Sequence, residues 1–245
     1  MQQADLGFQA NLYESANPTR RWLHQCRRDW LMGKLAQHAH PHQRFLEVGI
    51  GCGIYTRHLS ALGQVLALDI NPDFVAAAQQ LPNTEAHVAD VQKLAYQSEF
   101  DLALCSEVIE HIPDSQRALA NLYRSLRPGG ILLLTTPNRY STVELTARLL
   151  SLPGVAALAR RIYGEPVDDL GHINRLTQGV LREQLVRAGF VIEEQQNLAF
   201  YLPVVGEFGG AYAQRLLAAI ASRLQSSKRL TWLLWTQCWV CRRPA

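Results

Sequence analysis

Short apolar runs alternate with helix-like segments between residues 44 and 136, and this alternation constrains the fold more than any other feature. Strands are predicted at 44–48, 64–68, 85–89, 100–105 and 131–135. Helices are predicted between them, at 54–62, 72–80 and 114–126. Strands that alternate with helices form parallel sheets covered on both faces. The sequence therefore predicts an α/β, Rossmann-like sheet.

The rest of the chain extends this pattern into one predicted domain over residues 1–245. An N-terminal helix is predicted at 18–39, before a cofactor-binding core at 44–136. Residues 138–171 are apolar and helical in pattern where a minimal fold needs only a short connection, so we expect a helical cap insertion over the active site. Residues 172–245 are predicted to complete the sheet, with helices at 178–188 and 211–226 and strands at 191–198 and 236–241.

Charge and cysteine usage exclude several classes of protein. The net charge is only +3 and no basic stripe carries interleaved aromatic residues, so no nucleic-acid partner is expected. Five cysteines, an odd number, with no leading signal peptide indicate free thiols in the cytoplasm. The pair Cys238 and Cys241 has no second pair, and residues three apart on a strand point to opposite faces, which favours packing over metal binding.

Three glycines follow the first predicted strand, in the stretch FLEVGIGCG. Gly49, Gly51 and Gly53 allow a ligand to approach the backbone, and the following helix offers amide donors. Glu47 lies inside the apolar strand just before them. A carboxylate there would repel a pyrophosphate but attract an ammonium group, so the turn favours a ligand with a cationic tail.

Two more acidic residues end the second and third predicted strands. Asp69, followed by Ile70, lies about 20 residues beyond the glycines, where an acid accepts hydrogen bonds from ribose hydroxyls. Asp90, followed by Val91, is placed to accept from an exocyclic amine. The carboxyl ends of the strands form the ligand crevice of such sheets. Together these residues describe a pocket for an adenosine with a positively charged tail.

At these residues the sequence resembles the class I S-adenosylmethionine-dependent methyltransferases. The resemblance covers about residues 44–136, in FLEVGIGCG, LALDINPDFV, VADVQKL, FDLALCSEVIEHIPD and LRPGGILLLTTPN. It implies a seven-stranded sheet with an antiparallel last strand. It also implies that Glu47 and the glycines hold the methionyl end of the cofactor, with Ser106 as the floor beside it. By the same resemblance, Asp69 and Ile70 contact the ribose side, and Asp90 and Val91 the adenine.

The segment SEVIEHIPD follows the fourth predicted strand, on the methyl-acceptor side of the cleft. If it forms one helical turn, Glu107, Glu110 and His111 share a face. Three roles are open for this group. Glu110 and His111 cap the turn; His111, with Glu110, acts as a general base for a hydroxyl; or all three bind a divalent metal that lowers the pKa of the attacked oxygen.

The motif EVIEH resembles that of ubiquinone-biosynthesis O-methyltransferases and of small-RNA 2′-O-methyltransferases. The second resemblance implies Mg²⁺ or Mn²⁺ held by Glu107, Glu110 and His111, with His172 as a fourth ligand. Such a set of oxygen and nitrogen ligands suits these metals.

The sequence predicts a methyltransferase that acts on a hydroxyl oxygen of a small, partly apolar metabolite. An N-methyltransferase acting on a small amine and a non-catalytic cofactor-binding scaffold are the alternatives. Two interpretations apply to Trp232, Trp235 and Trp239 near Arg242 and Arg243: burial against the sheet, or an apolar surface for substrate or for peripheral membrane contact. The cap could also complete a homodimer.

Overall fold

A computed structural model describes residues 11–142, 145, 173–174, 176–227 and 229–245 of the chain. A seven-stranded sheet forms its centre, in the order β3-β2-β1-β4-β5-β7-β6. The strands are β1 (Arg44–Val48), β2 (Gln64–Asp69), β3 (Thr84–Val88), β4 (Phe100–Ser106), β5 (Leu126–Pro137), β6 (Val191–Leu198) and β7 (Thr236–Arg242). The predicted α/β sheet is therefore confirmed.

Helices cover both faces of this sheet. They are α1 (Pro18–His38), α2 (Ile54–Ser60), α3 (Pro72–Ala78), α4 (Ser115–Ser125), α5 (Gln178–Ala188), α6 (Pro203–Phe208) and α7 (Gly210–Gln225). Short 3₁₀ turns occupy Val91–Lys93, Ile109–His111 and Thr231–Leu233. Asn17 caps α1 by accepting from the amides of Thr19 and Arg20, and Pro18 occupies the first turn, where its missing N–H costs nothing.

The direction of the strands determines where a ligand-binding crevice can form. Strands β1 to β5 pair in parallel, and β7 is antiparallel to both β5 and β6. The antiparallel last strand implied by the family resemblance is therefore confirmed. Since β1 lies between β2 and β4, the strand order reverses at β1, and the crevice for a ligand opens at the carboxyl ends of β1 and β4.

Two elements differ from the sequence prediction by more than two residues. Strand β5 begins at Leu126, five residues earlier than predicted, because Leu126 pairs with Phe100 across a register shift in β4. The Pro128-Gly129-Gly130 turn is held by bonds from the Gly129 amide to the Arg243 carbonyl and from the Arg243 amide to the Gly130 carbonyl. Helix α6 was not predicted; its six residues are too short to show helical periodicity.

Apolar side chains from both faces of the sheet form the core. Cys238 and Cys241 are buried free thiols in different apolar clusters, so their predicted packing role is confirmed. Trp235 and Trp239 are also buried, while Trp232 is exposed. Burial against the sheet therefore holds for two of the three tryptophans. Of the predicted cap, residues 143–144 and 146–171 lie outside the described residues.

Candidate active site

The glycine turn joins β1 to α2 in a backbone conformation that favours glycine. Gly49, Gly51 and Gly53 have φ angles of 84°, 54° and 72°. A Cβ atom on Gly49 would lie 2.1 Å from Cγ2 of Val108, which follows β4. The turn is therefore built closely against the segment after β4, which carries the predicted acceptor-side residues.

Glu47 is buried beneath this turn, with an exposed fraction of 1%. Neither carboxylate oxygen has a hydrogen-bond partner among the described residues. Burial raises the pKa of Glu47 to about 8; the Asp69 carboxylate also raises it, and the hydroxyl and amide of Thr56, which lie near the carboxylate but form no hydrogen bond of standard geometry with it, oppose the shift. A buried carboxylate without a partner is costly, so this one is suited to a cationic group brought by a ligand.

Asp69 ends β2 and stabilises the glycine turn by accepting hydrogen bonds from its backbone. Its Oδ2 accepts from the amides of Ile50 at 2.8 Å and Gly51 at 3.3 Å, and its Oδ1 accepts from the Asn71 amide at 2.9 Å. A carboxylate oxygen accepts about two bonds, so Oδ1 retains capacity for a ribose hydroxyl. The adjoining Ile70 is 76% exposed, an apolar side chain beside the predicted nucleoside site. The positions of both residues fit their predicted roles.

Asp90 and Val91 lie beyond β3, at the next position along the same edge. Asp90 accepts from the amide of Gln92 at 2.9 Å and also from the side-chain amide of Gln92, so it caps the 3₁₀ turn at Val91–Lys93. The Val91 side chain is buried, and its carbonyl accepts from Asn121. The structure gives this pair a local structural role, and the contact with adenine stays a prediction.

Ser106 ends β4, and its hydroxyl lies 2.9 Å from that of Thr135 on β5. Glu107 follows with a φ of 55°, a conformation that a non-glycine residue seldom adopts. Its side chain forms a salt bridge with Arg27 of α1, with 2.8 Å between Oε2 and Nη1. Oε1 accepts from the Thr236 hydroxyl at 3.3 Å. Backbone strain at the end of a strand is typical of functional sites.

Arg27 is the site residue that sequence reasoning missed. In the sequence it stands beside Arg28 in a helix rich in basic residues, a pattern typical of a solvated helix face, yet the Arg27 side chain is buried. Its guanidinium is buried, lies over the Trp235 ring and has a buried Nε without a partner among the described residues. The sequence contains a signal for this burial, because Arg27 occupies one position of a repeat at intervals of four. The repeat is formed by Leu23, Arg27, Leu31 and Leu35, which are all buried.

Glu110 and His111 form the 3₁₀ turn after β4. The Glu110 carboxyl is buried and its Oε2 accepts from the Thr136 hydroxyl at 2.9 Å. Burial, and then repulsion by Glu107, raise the pKa of Glu110 well above its usual range. The His111 side chain is 43% exposed, and its Nε2 lies 3.9 Å from Oε1 of Glu110. A buried carboxyl with a raised pKa thus lies behind a half-exposed imidazole.

The predicted metal set does not form among the described residues. No group of three His, Cys, Asp or Glu side chains suited to a metal ion occurs in these parts of the chain. Glu107 is directed to Arg27 and Thr236, whereas Glu110 is directed to Thr136, so their described contacts do not form one metal-binding set with His111. The fourth predicted ligand, His172, lies outside the described residues. These contacts do not fit a metal centre.

The described helices include none with the length and apolar character needed to cross a bilayer.

The fold and this edge of the sheet define the chain as a Rossmann-like α/β protein with a ligand crevice at the carboxyl ends of its strands. Residues 46–134 match the family model described as a methyltransferase domain. Trans-aconitate 2-methyltransferase of Deinococcus radiodurans is 29% identical over 209 residues, which cover 76% of this chain and 80% of the relative. A ubiquinone biosynthesis O-methyltransferase of Xanthomonas campestris is 33% identical over 141 residues, covering 53% of this chain and 58% of the relative.

Among solved structures, an S-adenosylmethionine-dependent methyltransferase from Mesorhizobium loti superposes with a TM-score of 0.60 at 21% identity, covering 88% of this chain and 97% of that one. This match shows the fold. The family match over residues 46–134 and the curated relatives support a class I S-adenosylmethionine-dependent methyltransferase.

Proposed function

We propose that this protein transfers a methyl group from S-adenosylmethionine to an oxygen of a small, partly apolar metabolite. The observation that carries the proposal is the buried carboxylate of Glu47 beside the glycine turn, which has no hydrogen-bond partner in the described part of the chain. The cofactor supplies a reactive sulfonium methyl group. The protein then has to bind the cofactor, align the acceptor with the methyl group and receive the acceptor's proton.

The unpartnered buried groups fit the two charged ends of a methionyl moiety. Glu47 would accept from its ammonium group, and the buried Nε of Arg27 would donate to its carboxylate. Tyr55, in the first turn of α2, interacts electrostatically with both Arg27 of α1 and Glu107. The Arg27–Glu107 pair therefore lies near the start of α2, on the glycine-turn side of the cleft. Asp69 and Ile70 would contact the ribose and its surroundings.

An oxygen acceptor is supported by the pair of Glu110 and His111. A hydroxyl must lose a proton during methyl transfer, whereas a neutral amine needs less assistance. His111 is half exposed on the acceptor side, where its imidazole would receive the proton, and the buried Glu110 carboxyl behind it would help to position the ring. The curated relative from Xanthomonas campestris is named an O-methyltransferase, which agrees with this choice.

The test is the transfer of a labelled methyl group to matched alcohol and amine acceptors, and to an extract of the producing cell. We expect labelled ethers or esters to form, and His111→Ala to lower turnover by about 10²–10⁴ while cofactor affinity stays the same. His87→Ala is the matched control, since His87 is an exposed histidine paired with Glu85 far from the acceptor side.

Each alternative function predicts a different result of this labelling experiment. Labelled amines without labelled oxygen products would identify an N-methyltransferase. Cofactor binding without any product would identify a scaffold. Unchanged turnover in His111→Ala would remove that residue from the mechanism.

A further inference from the structure

The connection between β6 and β7 lies at the same edge of the sheet as the candidate active site. Strand β6 is parallel to β1 and β4, and β7 runs in the opposite direction. The end of β6 and the start of β7 therefore both lie at the carboxyl edge. The connecting segment, residues 199–235, contains α6, α7 and the 3₁₀ turn at Thr231–Leu233.

Helix α7 has one buried face and one exposed face. Ala213, Leu217 and Ala221 are buried, and α7 packs against α1 and β6. The opposite face is exposed and carries Tyr212, Arg215, Leu216, Ala219 and Arg223. At 100° per residue these five positions fall within about 100° of one another.

The exposed face of α7 is more apolar than a solvated helix face requires. Tyr212 is 85% exposed and Leu216 is 56% exposed. Val204 of α6 and Trp232, in the turn that packs against α7, are exposed as well. These exposed apolar side chains stand on elements that pack against one another, and large apolar side chains grouped in this way, rather than scattered singly, are typical of an interaction site.

The charge of this segment has one sign. From Ala199 to Ala245 the sequence contains one acidic residue, Glu207. The Glu207 carboxylate is directed inward, 2.6 Å from Nε of Arg20 and hydrogen-bonded by the Tyr201 hydroxyl. Arg215 and Arg223 are exposed and form no ion pair with any residue that the structure describes. The exposed face is therefore both apolar and positively charged.

We infer that the exposed face of α7, together with Val204 and Trp232, docks this protein on the surface of an anionic lipid bilayer. Helices that lie in a bilayer interface combine an apolar stripe with arginines whose charged ends reach lipid phosphates. Tryptophan and tyrosine side chains favour the same interface. A nucleic acid would neutralise the arginines but would leave Val204 and Leu216 facing water.

Docking would bring the mouth of the cleft close to the bilayer, because the segment lies at the carboxyl edge of the sheet. The inference goes beyond the proposed methyl transfer and does not depend on it. It also locates the surface differently from the sequence-based expectation for the C-terminal tail. Arg242 pairs with Glu193, and Arg243 donates to the carbonyls of Tyr123, Arg124 and Leu126, so neither is available to lipid.

The test is flotation of the full chain with vesicles of phosphatidylcholine alone or with about one third phosphatidylglycerol. We expect the anionic vesicles to bind the protein about tenfold or more strongly, with binding weakened by salt. Both Tyr212→Ser/Leu216→Ser and Arg215→Gln/Arg223→Gln should lower vesicle binding about tenfold. The matched control Val186→Ser/Arg187→Gln removes an exposed valine and an arginine from α5 and should leave binding within about twofold of the original.

Cofactor affinity, measured by calorimetry, and the thermal transition would show that each variant is folded. Equal binding to both kinds of vesicle, or to neither, would overturn the inference. Loss of binding in the arginine variant but not in the serine variant would show that the surface recognises any polyanion, which also contradicts it. A dimer abolished by the serine variant, with no vesicle binding, would assign the surface to a second copy of the chain.

Discussion

Replacing Glu47 with glutamine tests the cofactor site through folding stability as well as through binding. Burial raises the pKa of Glu47 from 4.5 to about 8. At about 1.4 kcal/mol per pH unit, this difference corresponds to about 5 kcal/mol between the fully protonated and fully ionised carboxyl. Because the folded pKa is the higher one, this stability is present below pH 4.5 and is lost as the pH rises through about 8.

Glutamine keeps the shape of the side chain but does not ionise. The free energy of unfolding of Glu47→Gln, minus that of the original protein, should therefore increase between pH 5 and pH 8, by up to about 4 kcal/mol. Urea unfolding at several pH values, without cofactor, measures this difference. The matched control is Glu183→Gln, an exposed partner of Arg187 whose loss should change stability by less than about 1 kcal/mol at any pH.

Binding of the cofactor should reverse the preference of Glu47 for its protonated form. The cofactor's ammonium group would stabilise the ionised Glu47, so Glu47→Gln should bind S-adenosylmethionine about 10- to 100-fold more weakly, as expected for loss of a hydrogen bond to a charged group. The reasoning would be refuted by parallel stability curves for the two proteins across this pH range. Unchanged cofactor affinity in a folded variant would separate Glu47 from the ligand.

Two further predictions concern the walls of the cleft. Arg27→Met or Glu107→Gln alone should cost about 3–5 kcal/mol of unfolding free energy, because each leaves an uncompensated buried charge. The double variant should recover part of that loss. A double-mutant cycle by urea unfolding measures this coupling, and strict additivity of the two single effects would contradict the pairing. Gly49→Ala should cost about 1–3 kcal/mol through its φ of 84° and its contact with Val108, whereas Gly179→Ala, in open space on α5, should not destabilise the protein. Thermal unfolding compares these two glycine variants, and equal transitions would refute the argument.

Much of the fold and of the cofactor site could be predicted because both depend on local patterns. Strands β1 and β6 and helix α5 have the bounds that their sequence patterns predict, and the site residues follow the strand ends. The order of apolar runs, glycines and acids therefore indicated which residues would meet at one edge of the sheet. The start of β5 could not be predicted because its pairing with Phe100 depends on a register shift in another strand.

The acceptor side of the cleft shows most clearly what could not be predicted from the sequence. The sequence places Glu107, Glu110 and His111 within five residues, but only Glu110 and His111 lie in the 3₁₀ turn. It does not show that the left-handed backbone at Glu107 turns its carboxylate toward Arg27, 80 residues earlier in the chain. Only the packing of α1 over the end of β4 brings these two charges together.

The sequence by itself determined the strand-and-helix order, the glycine turn and the acidic residues at the strand ends, since hydrophobic periodicity and backbone conformation are properties of neighbouring residues. The tertiary structure decided which charges are paired and which are not. Arg27 and Glu107 neutralise each other, while the buried Glu47 has no hydrogen-bond partner among the residues that the structure describes. Burial and partnership depend on segments far apart in the chain, and these set the electrostatic free energy of each carboxyl group.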